Sequence, residues 1–526
     1  MVSGNNYHAY HNVRQRRFCY AQLYLSSILI FKFKQMIIEK INYWGVQNPG
    51  HIAHRSGGKA LTYGELLQRS NAVAAFIREQ LQDKEPKVPV AIRGHKESEM
   101  LIGFLGAVKS GHPYVPIDSS MPEERVEKII QTSGATLVLD VEKISEITNS
   151  RFSEASAPST SIGPDDPFYI LFTSGSTGDP KGVVITRNNL ESFVSWMVEE
   201  QKFSEQKEVF LNQAPFSFDL SVMDIYPCLV TGNTLVSITR DDVSNPAQLH
   251  KTLQAADLTV WVSTPSFAQL CLMEKTFQKK ILPKLRKFLF CGETLTSKTA
   301  AILLERFDQS EIWNTYGPTE ATVATSSIKI TKEIIERYPF LPVGYPKPQC
   351  NIYIYDEHDQ PLESEKLGQI IISGDNVSPG YLGRPDLTAR SFFKIGDLPA
   401  YRTGDQGYLE NNLLFFKGRM DNQIKLHGYR IELGDIESNL ETLPGIRSAA
   451  VIMRQNNGTD DYLIAFIVDE NSNQQTEFER TRTLKKSLAE KVPGYMVPKK
   501  FVFMSGHFPM TTNGKIDRKK LMASVK

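Results

Sequence analysis

From about residue 60 onward, short apolar runs alternate along this chain with segments whose apolar residues recur at helical spacing. Val88–Ile92 and Thr136–Leu139 are rich in apolar residues and are predicted as strands. Between them, Glu99–Lys109 places its aliphatic residues on one face of a predicted helix, and Gly111 follows as a stop signal. Strand and helix signals that alternate in this way predict an α/β fold. Further strands are predicted over Val209–Leu211, Thr234–Val236, Thr259–Val262 and Lys287–Phe290, and a further helix over Asn188–Gln201.

Two stretches depart from this alternation. Residues 141–165 are polar and rich in Ser and Thr, and are predicted as a loose connection. Over residues 343–400 the apolar runs shorten and Gly and Pro become frequent, which predicts a small β-barrel-like subdomain. After Gly418 the pattern predicts a compact α+β unit of ordinary domain size, with helices over Gly434–Leu443 and Thr483–Lys491 and strands over Ala449–Met453 and Leu463–Val468.

The predicted fold class is therefore α/β. It has a large N-terminal domain of sheets flanked by helices, which includes the barrel-like subdomain, and a smaller α+β C-terminal domain. A chain of 526 residues is too long for a single core. We divide it into an N-terminal extension (1–35), a core domain (36–420) and a C-terminal domain (421–526).

Residues 1–35 do not fit the α/β pattern. Three arginines, Arg14, Arg16 and Arg17, precede an apolar stretch over Phe18–Phe31, which is the order found in signal peptides. Polar residues interrupt the stretch, and it is shorter than the roughly 20 apolar residues of a membrane-spanning helix. Helical periodicity begins at Met36. We expect residues 1–35 to be an upstream extension from a misplaced start codon, without stable membrane insertion; a membrane tether is the alternative.

Composition and charge argue against several classes of protein. Hydrophobic residues make up 41% and charged residues 23% of the chain, which is typical of soluble globular proteins. The net charge of +1 provides no overall attraction to nucleic acid, so no nucleic-acid partner is expected. The five cysteines are an odd number with no Cys-x-x-Cys pair, which argues against a disulfide framework or a zinc site. A reducing, cytoplasmic location fits this cysteine usage.

The run Leu171–Gly182 carries the strongest chemical signal. It follows the start of a short apolar strand, consists largely of Gly, Ser and Thr, and has Lys181 near its end. Glycines let a backbone approach a phosphate closely, hydroxyl and N–H groups donate to its oxygens, and a lysine adds positive charge. The run is not a Walker loop, because Lys181 follows a proline and precedes a glycine. The sequence therefore predicts a phosphate-binding loop of another kind.

This loop resembles that of the adenylate-forming enzymes, and the resemblance extends over nearly the whole chain from Met36. Leu61–Leu66 and Leu105–Asp118 match structural motifs of that family. The resemblance implies that the loop grips the β- and γ-phosphates of ATP, which leave as pyrophosphate. The loop residues assigned to this role are Thr173, Ser174, Gly175, Ser176, Thr177, Gly178 and Lys181.

Two further motifs are similar to the nucleotide-binding segments of the family. Asn314–Glu320 implies that Tyr316 stacks on adenine and that Glu320 coordinates Mg²⁺, an ion that takes carboxylate and phosphate oxygens together. Tyr401–Asp405 matches the ribose motif, in which a carboxylate accepts hydrogen bonds from the ribose diol. The implied cofactors are ATP and Mg²⁺. The implied nucleotide-binding residues are Gly292, Asn314, Thr315, Tyr316, Gly317, Thr319, Asp405, Arg419 and Lys515, and the implied metal ligand is Glu320.

The C-terminal motifs imply a mobile lid. Asp421 matches the family's hinge, about which the small domain rotates between an adenylate-forming orientation and one that presents the loop at Gly428 to a thiol. Lys515, within Asn513–Arg518, matches the family's catalytic lysine, which bridges the substrate carboxylate and the α-phosphate of ATP. A cation at that point lowers the barrier because it stabilises two approaching anions.

The substrate pocket is implied by two segments. Phe216–Asp224 resembles the aminoacyl-adenylating branch of the family, in which Asp219 would pair with the substrate's ammonium group. Apolar residues flank Asp219, and a buried carboxylate favours a cationic partner. Ser263–Met273 resembles the D-alanine–D-alanyl carrier protein ligases, in which a cysteine narrows the pocket; we assign this role to Cys271. The expected substrate-binding residues are Asp219, Cys271, Val323 and Lys515.

The resemblance implies a two-step ligase. D-alanine and ATP would give D-alanyl-AMP, and the phosphopantetheine thiol of a carrier protein would take the D-alanyl group for D-alanylation of lipoteichoic or teichoic acid. No phosphopantetheine-attachment motif follows Lys515, so the carrier is expected to be a separate protein. The alternatives are a ligase for another small amino acid, an acyl-CoA ligase, and a nucleotide-binding regulatory protein that has lost catalysis.

Overall fold

The computed structural model describes residues 37–81, 87–150, 152, 154–156, 162–175, 178–421, 423–454, 461–469, 476–504, 506–510 and 516–525. The expected extension 1–35 and the predicted site residues Ser176, Thr177 and Lys515 lie outside these residues. The helices are α1 (Ile37–Gln47), α2 (Tyr63–Gln80), α3 (Ser98–Lys109), α4 (Glu123–Ser133), α5 (Val141–Thr148), α6 (Arg187–Glu200), α7 (Leu220–Val230), α8 (Arg240–Ser244), α9 (Pro246–Ala255), α10 (Pro265–Leu272), α11 (Ser297–Arg306), α12 (Lys332–Arg337), α13 (Pro385–Ser391), α14 (Leu433–Glu441), α15 (Glu477–Ala489) and α16 (Arg518–Ser524).

Short 3₁₀ turns occur at Thr319–Ala321 and Gly494–Met496. The strands are β1 (Ile52–Ser56), β2 (Lys59–Thr62), β3 (Val90–Gly94), β4 (Tyr114–Asp118), β5 (Leu137–Asp140), β6 (Pro167–Thr173), β7 (Lys181–Thr186), β8 (Val209–Asn212), β9 (Thr234–Ser237), β10 (Val260–Ser263), β11 (Lys287–Phe290), β12 (Glu311–Tyr316), β13 (Ser326–Ile330), β14 (Tyr345–Pro346), β15 (Cys350–Tyr355), β16 (Gly368–Gly374), β17 (Gly380–Tyr381), β18 (Phe392–Ile395), β19 (Leu398–Glu410), β20 (Leu413–Arg419), β21 (Gln423–Leu426), β22 (Tyr429–Glu432), β23 (Ile446–Arg454), β24 (Tyr462–Asp469) and β25 (Lys500–Phe503).

Two large sheets dominate the N-terminal part of the described chain. A nine-stranded sheet has the order β14-β13-β12-β11-β10-β8-β9-β1-β2, and its middle strands from β12 to β1 run parallel. A six-stranded sheet has the order β17-β7-β6-β4-β3-β5. Helix α7 is buried at every residue, and one apolar cluster joins α2, α3, α6 and α7 to both sheets. A helix that is apolar all round has to lie inside the protein, so these helices form the layer between the sheets. The predicted α/β fold with sheets flanked by helices is confirmed.

The predicted loose connection at 141–165 is wrong for its first turns, which form α5. Asp140 caps this helix, because its side chain accepts a hydrogen bond from the backbone N–H of Lys143. Ile144 and Ile147 are buried on its inner face. An N-cap and two apolar residues at helical spacing are thus sufficient for a short packed helix in a polar segment.

The barrel-like subdomain predicted over 343–400 forms a five-stranded antiparallel sheet, β15-β16-β19-β18 with β20 beside β19. It extends to Arg419, beyond the predicted end, because β19 and β20 pair as a long hairpin.

The C-terminal residues build a three-stranded sheet, β23-β24-β25, with its own apolar cores. One core includes α14 and α15, and the other includes Leu521 of α16. Strands β21 and β22 form a separate hairpin, Gln423–Glu432, which we call the hairpin from here on. Within the described part of the chain, no helix is long and apolar enough to cross a membrane.

Candidate functional site

Seven of the predicted site residues lie where loops leave the carboxyl ends of the parallel strands β8, β10 and β11, the usual position of ligand sites in α/β sheets. A cavity of about 60 Å³ lies there. The hairpin closes one side of it with Gly428 and Arg430. The predicted residues that line the cavity are Asp219, Gly292, Gly317, Thr319, Val323, Asp405 and Arg419.

Asp219 supplies a carboxylate to this cavity. It immediately precedes α7, and its Oδ2 accepts a 2.6 Å hydrogen bond from the hydroxyl of Thr319. Burial raises the pKa of the Asp219 carboxyl, and the Thr319 hydrogen bond offsets part of that rise. Within the described residues, no lysine or arginine forms an ion pair with Asp219. The side chain is therefore placed to accept a cationic group from a ligand.

The cysteine that lines this cavity is Cys291, and Cys271, the cysteine predicted from the sequence, is not among the lining residues. Cys291 follows the end of β11, and its Sγ lies 3.7 Å from the carbonyl oxygen of Val323 across the cavity wall. Cys271 lies within α10 and packs in an apolar cluster with residues such as Trp261. The side chain of Cys271 in α10 faces the core behind the sheet. Cys291 comes directly after a parallel strand and therefore lies at the edge of the sheet where ligands bind.

A larger cavity of about 690 Å³ adjoins the first and is lined by Gly292, Asn314, Thr315, Tyr316, Gly317 and Arg419. Tyr316 donates a 2.6 Å hydrogen bond from its hydroxyl to Asp405 Oδ2, and Arg419 donates to Asp405 Oδ1 at 2.6 Å. Asn314 and Thr315 donate to backbone carbonyls of Pro342 and Phe290. Asn314 and Thr315 thus fix the local backbone, while Tyr316 lines the larger cavity and Asp405 lines the smaller one.

Asp421, the predicted hinge, is paired with Arg419, which lines both cavities. Arg419 bridges Asp421 and Asp405, donating from Nε to Asp421 Oδ1 at 2.9 Å. Burial alone would raise the pKa of the Asp421 carboxyl, but the paired guanidinium brings it below its ordinary value. The predicted hinge is thus tied by an ion pair to the predicted ribose carboxylate.

The described part of the phosphate loop contacts the hairpin. The hydroxyl of Ser174 donates to the carbonyl oxygen of Arg430 at 3.0 Å and accepts from the N–H of Glu432 at 3.0 Å. A Cβ on Gly175 would lie 2.2 Å from the carbonyl oxygen of Asp179, so the tight loop requires glycine at this point. Thr173 and Ser174 line a third cavity, which is also small, together with Asp219 and Thr319. The loop and the cavity carboxylate are therefore neighbours.

Glu320 is the most strongly held side chain of the site. Its Oε2 accepts from Arg430 at 2.5 Å, its Oε1 accepts from the Tyr381 hydroxyl at 2.8 Å, and Lys181 Nζ lies 3.7 Å from Oε1. Burial alone would raise the pKa of the Glu320 carboxyl, but Arg430 and Lys181 hold it well below its usual range. The sequence motifs did not single out Arg430 or Tyr381, although both lie in segments rich in glycine and charge.

Two family models match this chain. The model described as AMP-binding enzyme matches residues 42–382, and the model described as AMP-binding enzyme C-terminal domain matches residues 435–515. The first match alone covers more than half of the chain.

The chain belongs to the family of AMP-binding enzymes. A relative from Bacillus anthracis (strain CDC 684 / NRRL 3495), the D-alanine--D-alanyl carrier protein ligase, is 44% identical to this AMP-binding enzyme over 503 residues, covering 93% of this chain and 99% of the relative. A relative of the same name from Bacillus thuringiensis (strain Al Hakam) is 44% identical over 504 residues, with the same coverage.

Solved structures share this fold. An NRPS protein containing adenylation and PCP domains, bound to a vinylsulfonamide inhibitor, superposes with a TM-score of 0.79 at 25% identity over 93% of this chain and 84% of its own. The Vibrio cholerae adenylation domain AlmE, in complex with glycyl-adenosine-5′-phosphate, superposes with a TM-score of 0.78 at 21% identity over 93% and 97% of the two chains. These similarities confirm the predicted fold class.

Glu320 of this AMP-binding enzyme does not fit a magnesium ion in the present arrangement. Within the described residues, no group of three or more His, Cys, Asp or Glu side chains could hold a metal. Mg²⁺ is usually bound by one or two carboxylates together with substrate phosphates and water. Both oxygens of Glu320 already accept hydrogen bonds from Arg430 and Tyr381, and Lys181 lies 3.7 Å from Oε1, so protein cations compensate its charge in this arrangement.

Asp405→Ala is expected to weaken the binding of AMP to this enzyme. The substitution removes the two carboxylate oxygens on which Tyr316 and Arg419 converge, where the smaller cavity adjoins the larger one. Loss of hydrogen bonds to a charged acceptor predicts a dissociation constant for AMP that is at least about thirtyfold higher. Isothermal titration calorimetry measures this change.

Asp359→Asn is the control for that measurement. Asp359 is an exposed carboxylate paired with Arg402 and lies outside both cavities. It should leave AMP affinity within about twofold of the original value, because exposed ion pairs contribute little. Equal AMP affinity for Asp405→Ala and Asp359→Asn would contradict the placement of the nucleotide at Asp405.

Proposed function

We propose that this AMP-binding enzyme activates D-alanine with ATP as D-alanyl-AMP. It then transfers the D-alanyl group to the phosphopantetheine thiol of a separate carrier protein, for D-alanylation of lipoteichoic or teichoic acid in the cytoplasm. The observation that carries this proposal is the small cavity that holds the carboxylate of Asp219 beside the thiol of Cys291. The name and 44% identity of the near full-length relatives support it.

Three residues that line the small cavity have a role in this proposal. Asp219 accepts the ammonium group of the amino acid, because it is a buried carboxylate on the cavity wall and no lysine or arginine of the described residues forms an ion pair with it. Cys291 and Val323 limit the space for the side chain to about a methyl group. A cavity of this kind selects by size and by the direction in which the methyl group points.

The nucleotide lies in the larger cavity in this proposal. Tyr316 stacks on adenine, Asp405 accepts the ribose hydroxyls, and the phosphate loop with Lys181 binds the pyrophosphate that leaves. Mg²⁺ enters with ATP as the counter-ion of the phosphates. Lys515, which lies outside the described residues, is the proposed bridge between the substrate carboxylate and the α-phosphate.

The domain division is also part of the proposal. The core domain ends at residue 420 and the C-terminal domain begins at the hinge Asp421. The separate sheet and apolar cores of the C-terminal residues support the division, as do the two family matches at 42–382 and 435–515. A hinge between the two permits the lid to take a different orientation in each half-reaction.

An acyl-CoA ligase is the second candidate. It would take a carboxylic acid without an ammonium group, and then Asp219 would remain buried without a cationic partner. Because the charge of a buried carboxylate is costly unless it is paired, the cavity favours an amino acid.

ATP–pyrophosphate exchange tests the proposed substrate. With D-alanine, L-alanine, glycine, D-serine and a short fatty acid supplied separately, D-alanine should give the largest kcat/KM. D-alanine and glycine differ by one methyl group, which predicts discrimination between these two acids of about ten- to two-hundredfold. Preference for the fatty acid would favour the acyl-CoA ligase, and exchange with none of the acids, despite AMP binding, would favour a regulatory protein that has lost catalysis.

Asp219→Asn should raise the KM for D-alanine in the same assay by about a hundredfold or more, since it leaves the buried ammonium without its countercharge. The KM for ATP should change little. Asp224→Asn is the matched control: Asp224 lies one turn further along in α7, is fully buried and bonds to Asn212 outside the cavity. A selective rise in the KM for ATP would contradict the ammonium assignment.

Cys291→Ala should relax the preference for D- over L-alanine by about tenfold in kcat/KM, because it removes a heavy atom from the cavity wall. Cys271→Ala is the control, and it should lower the melting temperature without changing the D/L ratio, since Cys271 packs only in the core behind the sheet. The reverse result would support the sequence-based assignment of Cys271.

A further inference from the structure

Lys96 is a buried lysine in the short turn between β3 and α3. Its Nζ donates to the carbonyl oxygens of Gln213 at 2.6 Å, Ile238 at 2.7 Å and Asn212 at 3.3 Å. A lysine ammonium carries three N–H donors and no acceptor. This group of backbone carbonyls therefore suits the ammonium form, which can donate to all of them at once.

The carbonyls that Lys96 contacts lie at the ends of two strands of the nine-stranded sheet. Asn212 is the last residue of β8, Gln213 follows it, and Ile238 directly follows β9. Lys96 itself comes shortly after the end of β3, which belongs to the six-stranded sheet. The side chain thus joins the carboxyl ends of strands from both sheets, at the edge where α/β proteins bind ligands.

The backbone held by Lys96 begins the connection from β8 to α7, residues 213–219, which we call the β8–α7 loop. The side chain of Asn212 donates to the next carbonyl of this loop, that of Ala214, at 3.1 Å. A buried carbonyl without a donor is costly, so these two side chains fix the direction of the first peptides of the loop. The loop residues that line the small cavity are Gln213, Ala214, Pro215, Phe218 and Asp219.

We propose that Lys96 is a positioning residue for the amino acid site: its ammonium holds the start of the β8–α7 loop and so fixes the cavity wall that leads to Asp219. The proposal rests on the proposed function for the assignment of the small cavity to the amino acid. The far end of the loop is held by α7, which is buried at every residue and begins directly after Asp219. With both ends held, the wall and the carboxylate keep one spacing, and binding of the ligand does not have to order the loop.

A second buried lysine provides a matched comparison. Lys109, the last residue of α3, donates from Nζ to Ser70 Oγ at 2.7 Å and to Asn71 Oδ1 at 2.9 Å. Both acceptors are side chains of α2. Among the described residues that line the three cavities, neither Lys109 nor its two partners occurs. Lys109 therefore joins two helices, whereas Lys96 holds the backbone of a cavity wall.

Lys96→Met tests this role in ATP–pyrophosphate exchange, because methionine is of similar length and has no N–H group. The substitution removes one donor from each of the contacted carbonyls, so the start of the loop can shift. The KM for D-alanine should rise at least about tenfold, while the KM for ATP should stay within about twofold, because a displacement of about 1 Å at a binding group is costly. An unchanged KM for D-alanine, or an equal rise in both KM values, would overturn the proposal.

Lys109→Met is the control for the loss of a buried ammonium. It removes the same atoms from a lysine of similar burial, away from the cavities. It should lower the melting temperature and leave the KM for D-alanine within about twofold of the original value. If Lys109→Met raised the KM for D-alanine as much as Lys96→Met, the effect would belong to any buried lysine and the proposal would be wrong.

Lys96→Ala with added amines separates hydrogen bonding from packing. n-Propylammonium supplies the three carbon atoms and the ammonium that this substitution removes. It should lower the raised KM for D-alanine at least about fivefold, whereas 1-propanol, which has no charge, and tetramethylammonium, which has no N–H group, should not. The same additions to the original protein correct for competition at Asp219. Equal rescue by 1-propanol, or no rescue by n-propylammonium, would contradict the role of the ammonium.

Hydrogen–deuterium exchange without any amino acid separates this proposal from the proposed function. Lys96→Met should speed exchange of the β8–α7 loop amides at least about tenfold, and Lys109→Met should not, because only the first substitution releases the loop. If D-alanine fails in ATP–pyrophosphate exchange while the loop responds, the substrate assignment is wrong and Lys96 still holds the wall. If D-alanine supports exchange while the loop and the KM ignore Lys96→Met, the ligase remains and the role of Lys96 is wrong.

Discussion

Burial of the Glu320 carboxylate is the constraint on which the rest of the site depends. Removing an ionised carboxylate from water is tolerated only when opposite charge and hydrogen bonds replace the water. Glu320 obtains them from Lys181 at the start of β7, Tyr381 at the end of β17 and Arg430 in β22. These strands come from three distant parts of the chain. Because Glu320 needs all three partners, the phosphate loop, the edge strand β17 of the six-stranded sheet and the C-terminal hairpin all contact the same carboxylate.

The other buried carboxylates of the site show what is particular about Asp219. Asp405 is held by Arg419 and by the hydroxyl of Tyr316, so its charge is compensated within the protein. Asp219 accepts a hydrogen bond from the hydroxyl of Thr319, and Lys425 and Arg430 act on it electrostatically without forming an ion pair within the described residues. A site that leaves one buried carboxylate short of positive charge is incomplete without a cationic ligand. The charge balance of the protein thus favours an amino acid over an acid without a cationic group more directly than the size of the cavity does.

Much of this arrangement could be predicted from the sequence, because the informative signals are local. The strands over Val209–Leu211 and Lys287–Phe290 and the helix over Glu99–Lys109 lie within a few residues of their predicted bounds. The segments assigned to nucleotide binding do line adjoining cavities, since contiguous motifs at strand ends have little freedom to lie elsewhere. The partners of Glu320 could not be found in this way. Arg430 lies 110 residues from Glu320 along the chain, and only the docking of separately folded parts brings them together.

The two cysteines show where local reasoning fails and what corrects it. The sequence favours Cys271 because the segment around it resembles a known pocket sequence, yet Cys271 is the seventh residue of the helix α10 (Pro265–Leu272) and packs in the core. Cys291 directly follows β11, where a parallel strand ends and its loop must face the ligand edge of the sheet. The strand was predicted from its apolar run, so the rule that ligands bind at carboxyl ends of parallel strands was sufficient to favour Cys291. Position relative to the sheet therefore discriminates between candidate pocket residues better than residue type, because the sheet fixes direction and the residue type does not.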